Sequence, residues 1–322
     1  MSTGKNRKKI LIVGWMPAAG IEVLKKRDDV DYEILPLAEV PATYHKKLAD
    51  ANAVTLGSTP YRQAELDVSP VMQVVARLGV GFDQVEVPAL SKRKIPLMTT
   101  GIANSVSVAE HAMYMLLASA RLTRKMDRFV RQNTWHERLS DQPADLAGKS
   151  ILVVGMGRIG SRLVRLAKAF DMRVIATKRD PSTGAEGADA VAGTDRLHEV
   201  LGEADIVALT CPLTPQTQNL IDAAALAAMK PGAHLVNVAR GRVVDDPALI
   251  RALQEGRLPA AALDVTCEEP LPASSPLWTM PNVLITPHTA GETQAYEDNV
   301  IDILLENLDR LWRGAPLRNE VV

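Results

Sequence analysis

Three segments of this chain end an apolar run on residues able to do electrostatic and acid–base chemistry. LVNVARGRVVDD (235–246) carries Arg240, AALDVTCEEPLP (261–272) carries Asp264 and the pair Glu268 and Glu269, and VLITPHTAG (283–291) carries His288. In an open α/β sheet the carboxyl ends of the strands form the ligand-facing edge, so polar residues there are candidates for a site. A guanidinium can grip a carboxylate and polarise a carbonyl oxygen. A protonated imidazole can deliver a proton to that oxygen while hydride reaches the carbon. A buried carboxylate beside the imidazole stabilises its cationic form. These are the parts needed to reduce a 2-oxo acid. Each has a plainer reading when taken singly: Arg240 as a surface salt-bridge partner, His288 as a satisfied structural histidine. Sequence physics does not say which of Glu268 and Glu269 faces inward. His45, His111, His136, His198 and His234 lack such a strand-end setting.

A hydride source is suggested by GMGRIG (155–160). The apolar run ILVV (151–154) precedes it, and Leu163, Leu166, Ala167 and Phe170 follow at helical spacing, forming one apolar stripe. Gly155 permits a tight turn, Gly157 lets backbone approach a pyrophosphate, and Gly160 lets the helix pack against the strand. The helix start, with Arg158 and Ile159, then offers free N–H groups and a positive dipole end to phosphates. The alternative is a glycine-rich turn with no ligand. A dinucleotide motif usually places an acid at the end of the next strand, to hold the ribose 2′-hydroxyl. Here RVIA (173–176) ends in Thr177, Lys178 and Arg179. A carboxylate there would repel the 2′-phosphate of NADP, whereas a Lys–Arg pair attracts it. The expectation is NADP as cofactor, with NADPH preferred over NADH. Asp180 is a rival source of the acid, but Pro181 follows it and favours a turn. A solvated strand end is the plain reading of Lys178 and Arg179.

Two series of short apolar runs would position these residues. The first comprises 10–13, 32–35, 53–56, 74–78 and 95–98, and the second 151–154, 173–176, 206–209, 235–238, 261–265 and 283–286. Strands alternating with helical patterns imply parallel sheets with right-handed crossovers, hence two doubly wound α/β domains. A helical pattern rich in Ala, Met and Leu spans about 106–131, interrupted by Glu110, His111, Arg121, Arg124 and Lys125. The polar segment 133–149 reads as a linker, and 299–314 as a final helix stopped by Gly314 and Pro316. The length of 322 residues suits two domains, and 47% hydrophobic with 23% charged residues fits a globular protein. A net charge of -1 argues against nucleic acid or membrane as a general partner. Cys211 and Cys267 are too few for a disulfide scaffold and fit a reducing, cytoplasmic setting. The apolar run after the basic start MSTGKNRKK is too short for a signal peptide, and no run reaches a membrane span. No metal site is expected.

With these motifs in place, the chain closely resembles the D-isomer-specific 2-hydroxyacid dehydrogenases. The resemblance runs through ARLGVGFDQVE (76–86), ANSVSVAEHA (103–112), GMGRIG, CPLTPQTQNLI (211–221), NVARGRVVDD, ALDVTCEEPLP and TPHTAG to GAPLRNEVV. It implies that Arg240, Glu269 and His288 form the catalytic triad and that Asp264 contacts the nicotinamide carboxamide. It also implies that the Val80 and Gly81 amides hold the substrate carboxylate, in agreement with the anion nest that Gly79 and Gly81 permit. Asn104 falls beside the substrate. Arg62 is either a substrate contact or a surface charge. Cys211 and Pro212 match the loop along the adenosine. The implied architecture is a Rossmann cofactor domain (102–290) inserted into a flavodoxin-like substrate domain (1–101 and 291–322), with nicotinamide and substrate in the cleft between them. A homodimer through the cofactor domain is implied, with 106–131 as the candidate interface element.

The basic residues at 178 and 179 resemble the subgroup that reduces glyoxylate and hydroxypyruvate with NADPH. The chain lacks the C-terminal regulatory extension of many phosphoglycerate dehydrogenases, which weighs against a serine-pathway role. Two other readings stand beside this one. Oxidation of another donor on the same scaffold is one, with Glu269 weighing against formate but not phosphite. The other is a non-enzymatic, cofactor-sensing protein like the co-repressors of this fold.

Overall fold

The structure is a computed structural model and describes residues 7–135 and 142–322. The chain forms two compact units, Met1–Asn104 with Glu292–Val322, and Ser105–Gly291. The start MSTGKN, His136 and part of the expected linker lie outside the described residues, and 142–149 carries neither helix nor strand.

The first unit holds a five-stranded sheet of β1 (Lys8–Val13), β2 (Val30–Leu35), β3 (Ala53–Leu56), β4 (Val74–Arg77) and β5 (Leu97–Thr99). Its order is β2-β1-β3-β4-β5 and its ladders are all parallel, the flavodoxin-like winding. Burial on both faces explains why β1 reads as a continuous apolar run rather than an alternation. Leu11 and Val13 pack with Leu48, Val54 and Leu90, while Ile10 and Ile12 pack with Leu24, Val300 and Leu304. Val300 and Leu304 come from the last helix, Gln294–Trp312, which Thr293 caps by accepting from Tyr296 N at 3.2 Å.

The second unit holds seven parallel strands: β6 (Ser150–Val154), β7 (Arg173–Lys178), β8 (Ala190–Gly193), β9 (Ile206–Leu209), β10 (His234–Asn237), β11 (Ala260–Leu263) and β12 (Val283–Ile285). The order β12-β11-β10-β9-β6-β7-β8 reverses between β6 and β9, so the loops leaving those strands flank the crevice where such sheets bind ligands. Leu152 and Leu209 face one apolar layer, and Ile151, Val153 and Val174 face the other. The edge strand β8 is absent from the sequence reading. Its residues AVAG lack the branched and aromatic side chains that mark strands, and it pairs only with β7.

The single helix expected over 106–131 is instead two, Ser105–Ala120 and Thr123–Arg131. Leu122 takes the left-handed region at φ 54°, which ends the first helix. The break coincides with the end of the buried stripe, since Met113, Met115 and Leu116 are buried while no residue of the second helix is. No helix among the described residues is long and apolar enough to cross a membrane.

Candidate active site

The glycines of GMGRIG meet three different demands. Gly155 has φ 104°, and a methyl group there would lie 2.7 Å from the Cys211 Cα. Gly160 starts the Arg158–Ala169 helix so close to the strand that a methyl group would lie 2.0 Å from the Gly155 carbonyl oxygen. Gly157 faces open space, with nothing within 4 Å of where a side chain would begin. The loops after β6 and β9 are thus pressed together at Gly155 and Cys211, while the helix start beside Gly157 stays clear. That is the form of a phosphate cradle. Arg158 and Ile159 form the first turn of this helix. Cys211 is buried, which pushes its thiol up to about 11. The Pro212 carbonyl accepts from Thr217 Oγ1 at 2.6 Å, which fixes the loop.

Beyond the cradle, β7 runs on through Lys178. Thr177 is 1% exposed, and its hydroxyl has no hydrogen-bond partner among the described residues. Lys178 Nζ donates to the Gly184 carbonyl at 2.7 Å. Arg179 is exposed and makes no hydrogen bond or ion pair among the described residues. Asp180 caps the turn Pro181–Thr183, accepting from Ser182 Oγ at 2.6 Å and Ser182 N at 3.1 Å. Those two bonds hold its carboxyl below the usual range, and both fall on Oδ1.

Arg240, Glu269 and His288 come together at the ends of β10, β11 and β12. Asn237, the buried last residue of β10, accepts from Ala239 N at 3.0 Å and donates to the Arg240 carbonyl at 3.0 Å. Gly241 then passes so near the next loop that a methyl group would lie 1.9 Å from the Thr266 carbonyl carbon. Thr266 N donates to Glu269 Oε1 at 3.1 Å, and His288 Nδ1 lies 2.7 Å from Glu269 Oε2. Burial raises the Glu269 carboxyl, but its bond to His288, the charges of His288 and Arg240, and the Thr266 amide outweigh it and hold the group below the usual range. Glu269 is therefore the glutamate that pairs with the imidazole. His288 Nε2 makes no hydrogen bond among the described residues, and the side chain is 46% exposed.

His288 sits at φ 58°, a left-handed conformation uncommon outside glycine. Asp264 holds it there. The His288 amide donates to the Asp264 carbonyl at 2.8 Å. The Asp264 carboxylate accepts from Thr289 N at 3.0 Å, Ala290 N at 3.1 Å and Thr286 Oγ1 at 2.6 Å. His111, on the Ser105–Ala120 helix, reaches Thr286 Oγ1 with Nε2 at 3.0 Å. The roles of Asn237, Gly241, Thr266, Thr286 and His111 are not read from the sequence. The one available signal is that Asn237, Gly241, Thr266 and Thr286 lie within three positions of a residue already singled out, and His111 has none so near.

In the first unit, the loop after β4 carries Val80 and Gly81. Gly79 has φ 119°, and its amide donates to Thr100 Oγ1 at 2.8 Å. The Val80 and Gly81 amides donate to no acceptor among the described residues, and Val80 is exposed. Asn104 Oδ1 is buried without a partner among the described residues. Arg62 precedes the short helix Gln63–Asp67 and donates to Gln84 Oε1 at 3.2 Å. Among the described residues no cluster of three or more His, Cys, Asp or Glu is placed to hold a metal ion.

A doubly wound NAD(P)-binding unit with a strand-end Arg, Glu and His defines a class of nicotinamide-dependent oxidoreductase. The family profile described as D-isomer specific 2-hydroxyacid dehydrogenase, NAD binding domain, matches residues 113–290. The chain is 36% identical over 315 residues to a glyoxylate reductase of Pyrococcus furiosus, covering 95% of this chain and 93% of that one. It is 33% identical over 316 residues to a D-3-phosphoglycerate dehydrogenase of Synechocystis, spanning 97% of this chain but 56% of that relative. Among solved structures, an NADPH-dependent glyoxylate/hydroxypyruvate reductase of Sinorhizobium meliloti, in complex with NADP and malonate, superposes with TM-score 0.87 at 26% identity, covering 98% of this chain and 97% of that one. The chain belongs to the D-isomer-specific 2-hydroxyacid dehydrogenases, a family of NAD(P)-dependent oxidoreductases.

Proposed function

We propose that the chain reduces small 2-oxo acids of the glyoxylate and hydroxypyruvate type to D-2-hydroxy acids, using NADPH in preference to NADH. The observation that carries this reading is the Glu269–His288 pair at 2.7 Å, with Nε2 of the imidazole left unengaged. A reduced nicotinamide dinucleotide, when bound, supplies the hydride. The open helix start at Gly157, Arg158 and Ile159 fits its pyrophosphate. Asp264 Oδ1 takes two donors and Oδ2 one, so an acceptor position remains for the carboxamide. The Val80 and Gly81 amides are read as the grip on the substrate carboxylate.

Arg240 polarises the substrate carbonyl and stabilises the negative charge that builds on its oxygen. His288 delivers the proton to that oxygen from Nε2. Glu269 fixes the imidazole by its Nδ1 and stabilises the cation that donates. In oxidation the same imidazole takes the proton back. The exposed Arg179, beside Lys178, is read as the 2′-phosphate partner, and the NADP bound by the Sinorhizobium neighbour supports NADP as the cofactor.

The unit Ser105–Gly291 is read as the cofactor domain and the other as the substrate domain. A homodimer through the cofactor unit fits the unburied helix Thr123–Arg131, where Val130 is 73% exposed. A cytoplasmic setting fits two free cysteines. The test is cofactor oxidation across glyoxylate, hydroxypyruvate and 3-phosphohydroxypyruvate with each nicotinamide, together with reduction of NADP by phosphite. Turnover confined to the phosphorylated substrate or to phosphite would replace this reading.

A further inference from the structure

We propose that Thr286 and His111 are positioning residues, joined to Asp264 in a hydrogen-bond chain that holds the loop of the catalytic imidazole. The proposal rests on the reductase reading above. Thr286 Oγ1 lies 2.6 Å from Asp264 Oδ1, and a carboxylate can only accept, so the hydroxyl proton is committed there. The contact of that same oxygen with His111 Nε2 at 3.0 Å then requires the imidazole to donate. The order is His111 Nε2–H to Thr286 Oγ1, and Thr286 Oγ1–H to Asp264 Oδ1. His111 Nε2 is itself 3.6 Å from Asp264 Oδ1.

The chain matters because of what else hangs on Asp264. Its Oδ1 and Oδ2 hold the amides of Thr289 and Ala290, and its carbonyl holds the amide of His288. These bonds bracket the catalytic imidazole, whose backbone is kept at φ 58°. The Asp264 side chain is 1% exposed and His111 18%, so water has little access to replace a missing donor. Without the Thr286 hydroxyl, the carboxylate loses the side-chain donor that orients it, and the turn can relax away from the left-handed conformation. His111 comes from a helix 175 positions away in sequence, so the packed helix sets the register of the loop.

The test compares Thr286→Val and His111→Met with the donor-retaining Thr286→Ser and His111→Gln. Loss of a positioned partner should lower kcat about 10- to 100-fold. The Kd for NADPH should change much less than kcat, because the glycine cradle is untouched and Asp264 keeps the Thr289 and Ala290 amides. The conservative variants T286S and H111Q keep a donor at each position, so both should stay near the wild-type rate. The double variant should lose no more than the worse single, as expected for one chain. Wild-type kcat in both T286V and H111M overturns the proposal, as does fully additive loss. Should T286V fail to fold, H111M reads the same chain from its other end.

A second readout does not need turnover. With 13C-labelled histidine, the His288 ring signal, assigned by its absence in His288→Gln, should be single in the wild type and doubled or broadened in T286V and H111M. If the wild type reduces no 2-oxo acid, the reductase reading fails and this signal alone decides. An unchanged signal then refutes the chain, and a doubled one upholds it.

Discussion

Replacing Gly241 by alanine would drive a methyl group into the backbone of the neighbouring loop. The new carbon would lie 1.9 Å from both the carbonyl carbon and the oxygen of Thr266, and 2.3 Å from Cys267 N. Side-chain carbons do not approach backbone nearer than 3.0 Å, so the two segments must part by about 1.1 Å (3.0 − 1.9). Both carry groups to which the proposed mechanism assigns the chemistry. Arg240 directly precedes the glycine, and the Thr266 amide that moves is the one that holds Glu269 Oε1. Overpacking of this kind costs about 1–3 kcal/mol. At roughly 2–4 °C per kcal/mol for a unit of this size, the melting temperature should fall by about 2–12 °C. A misplacement near 1 Å at reacting groups costs about 100-fold in rate. The assay is a thermal melt beside steady-state kinetics and NADPH binding. G241A should bind NADPH almost normally while kcat falls about 100-fold. A variant with wild-type kcat and an unchanged melt would refute the argument that this close approach sets the spacing of Arg240 and Glu269.

Three further outcomes follow from the same geometry. Gly157→Ala should melt like the wild type, since nothing lies within 4 Å of the added carbon, yet bind NADPH much more weakly in a fluorescence titration. Arg179→Ala should raise the KM for NADPH about tenfold or more and leave that for NADH nearly unchanged, since it removes the charge-assisted contact proposed for the 2′-phosphate alone. Glu269 has a carboxyl held below its usual value, so it adds stability that is present above that value and is lost as pH falls through the depressed one. The gap in melting temperature between wild type and Glu269→Gln should therefore be widest near neutral pH and close as pH falls below 4.5, which melts at a series of pH values would show.

The parts of the fold carried by local pattern are readable in the sequence, and the parts carried by packing are not. Continuous apolar runs mark β1, β6 and β9 because both faces of a parallel sheet are buried. The run AVAG of β8 has no such mark, since its pairing with β7 rather than its side chains makes it a strand. The turn at Leu122 is equally silent, because a leucine at φ 54° is imposed by its surroundings against its own preference. At the site, residue type and strand-end position single out Arg240 and His288, and the contact between Glu269 and His288 separates Glu269 from Glu268. Asp180 shows how a local signal is resolved, since Pro181 already pointed to the turn that Asp180 caps. The support beneath His288 is invisible to spacing, because His111 and Thr286 meet only once helix and sheet have packed.

The most direct test of the central claim is the oxidation of NADPH on addition of glyoxylate or hydroxypyruvate, measured for the wild type, Arg240→Ala and His288→Ala. The wild type should turn over, R240A should be slower by about 10²–10³-fold or more, and H288A by about 10²–10⁴-fold. Near-wild-type turnover in either variant would contradict the assignment of Arg240 and His288 to the chemistry. No turnover by the wild type on either acid would contradict the proposed substrate class.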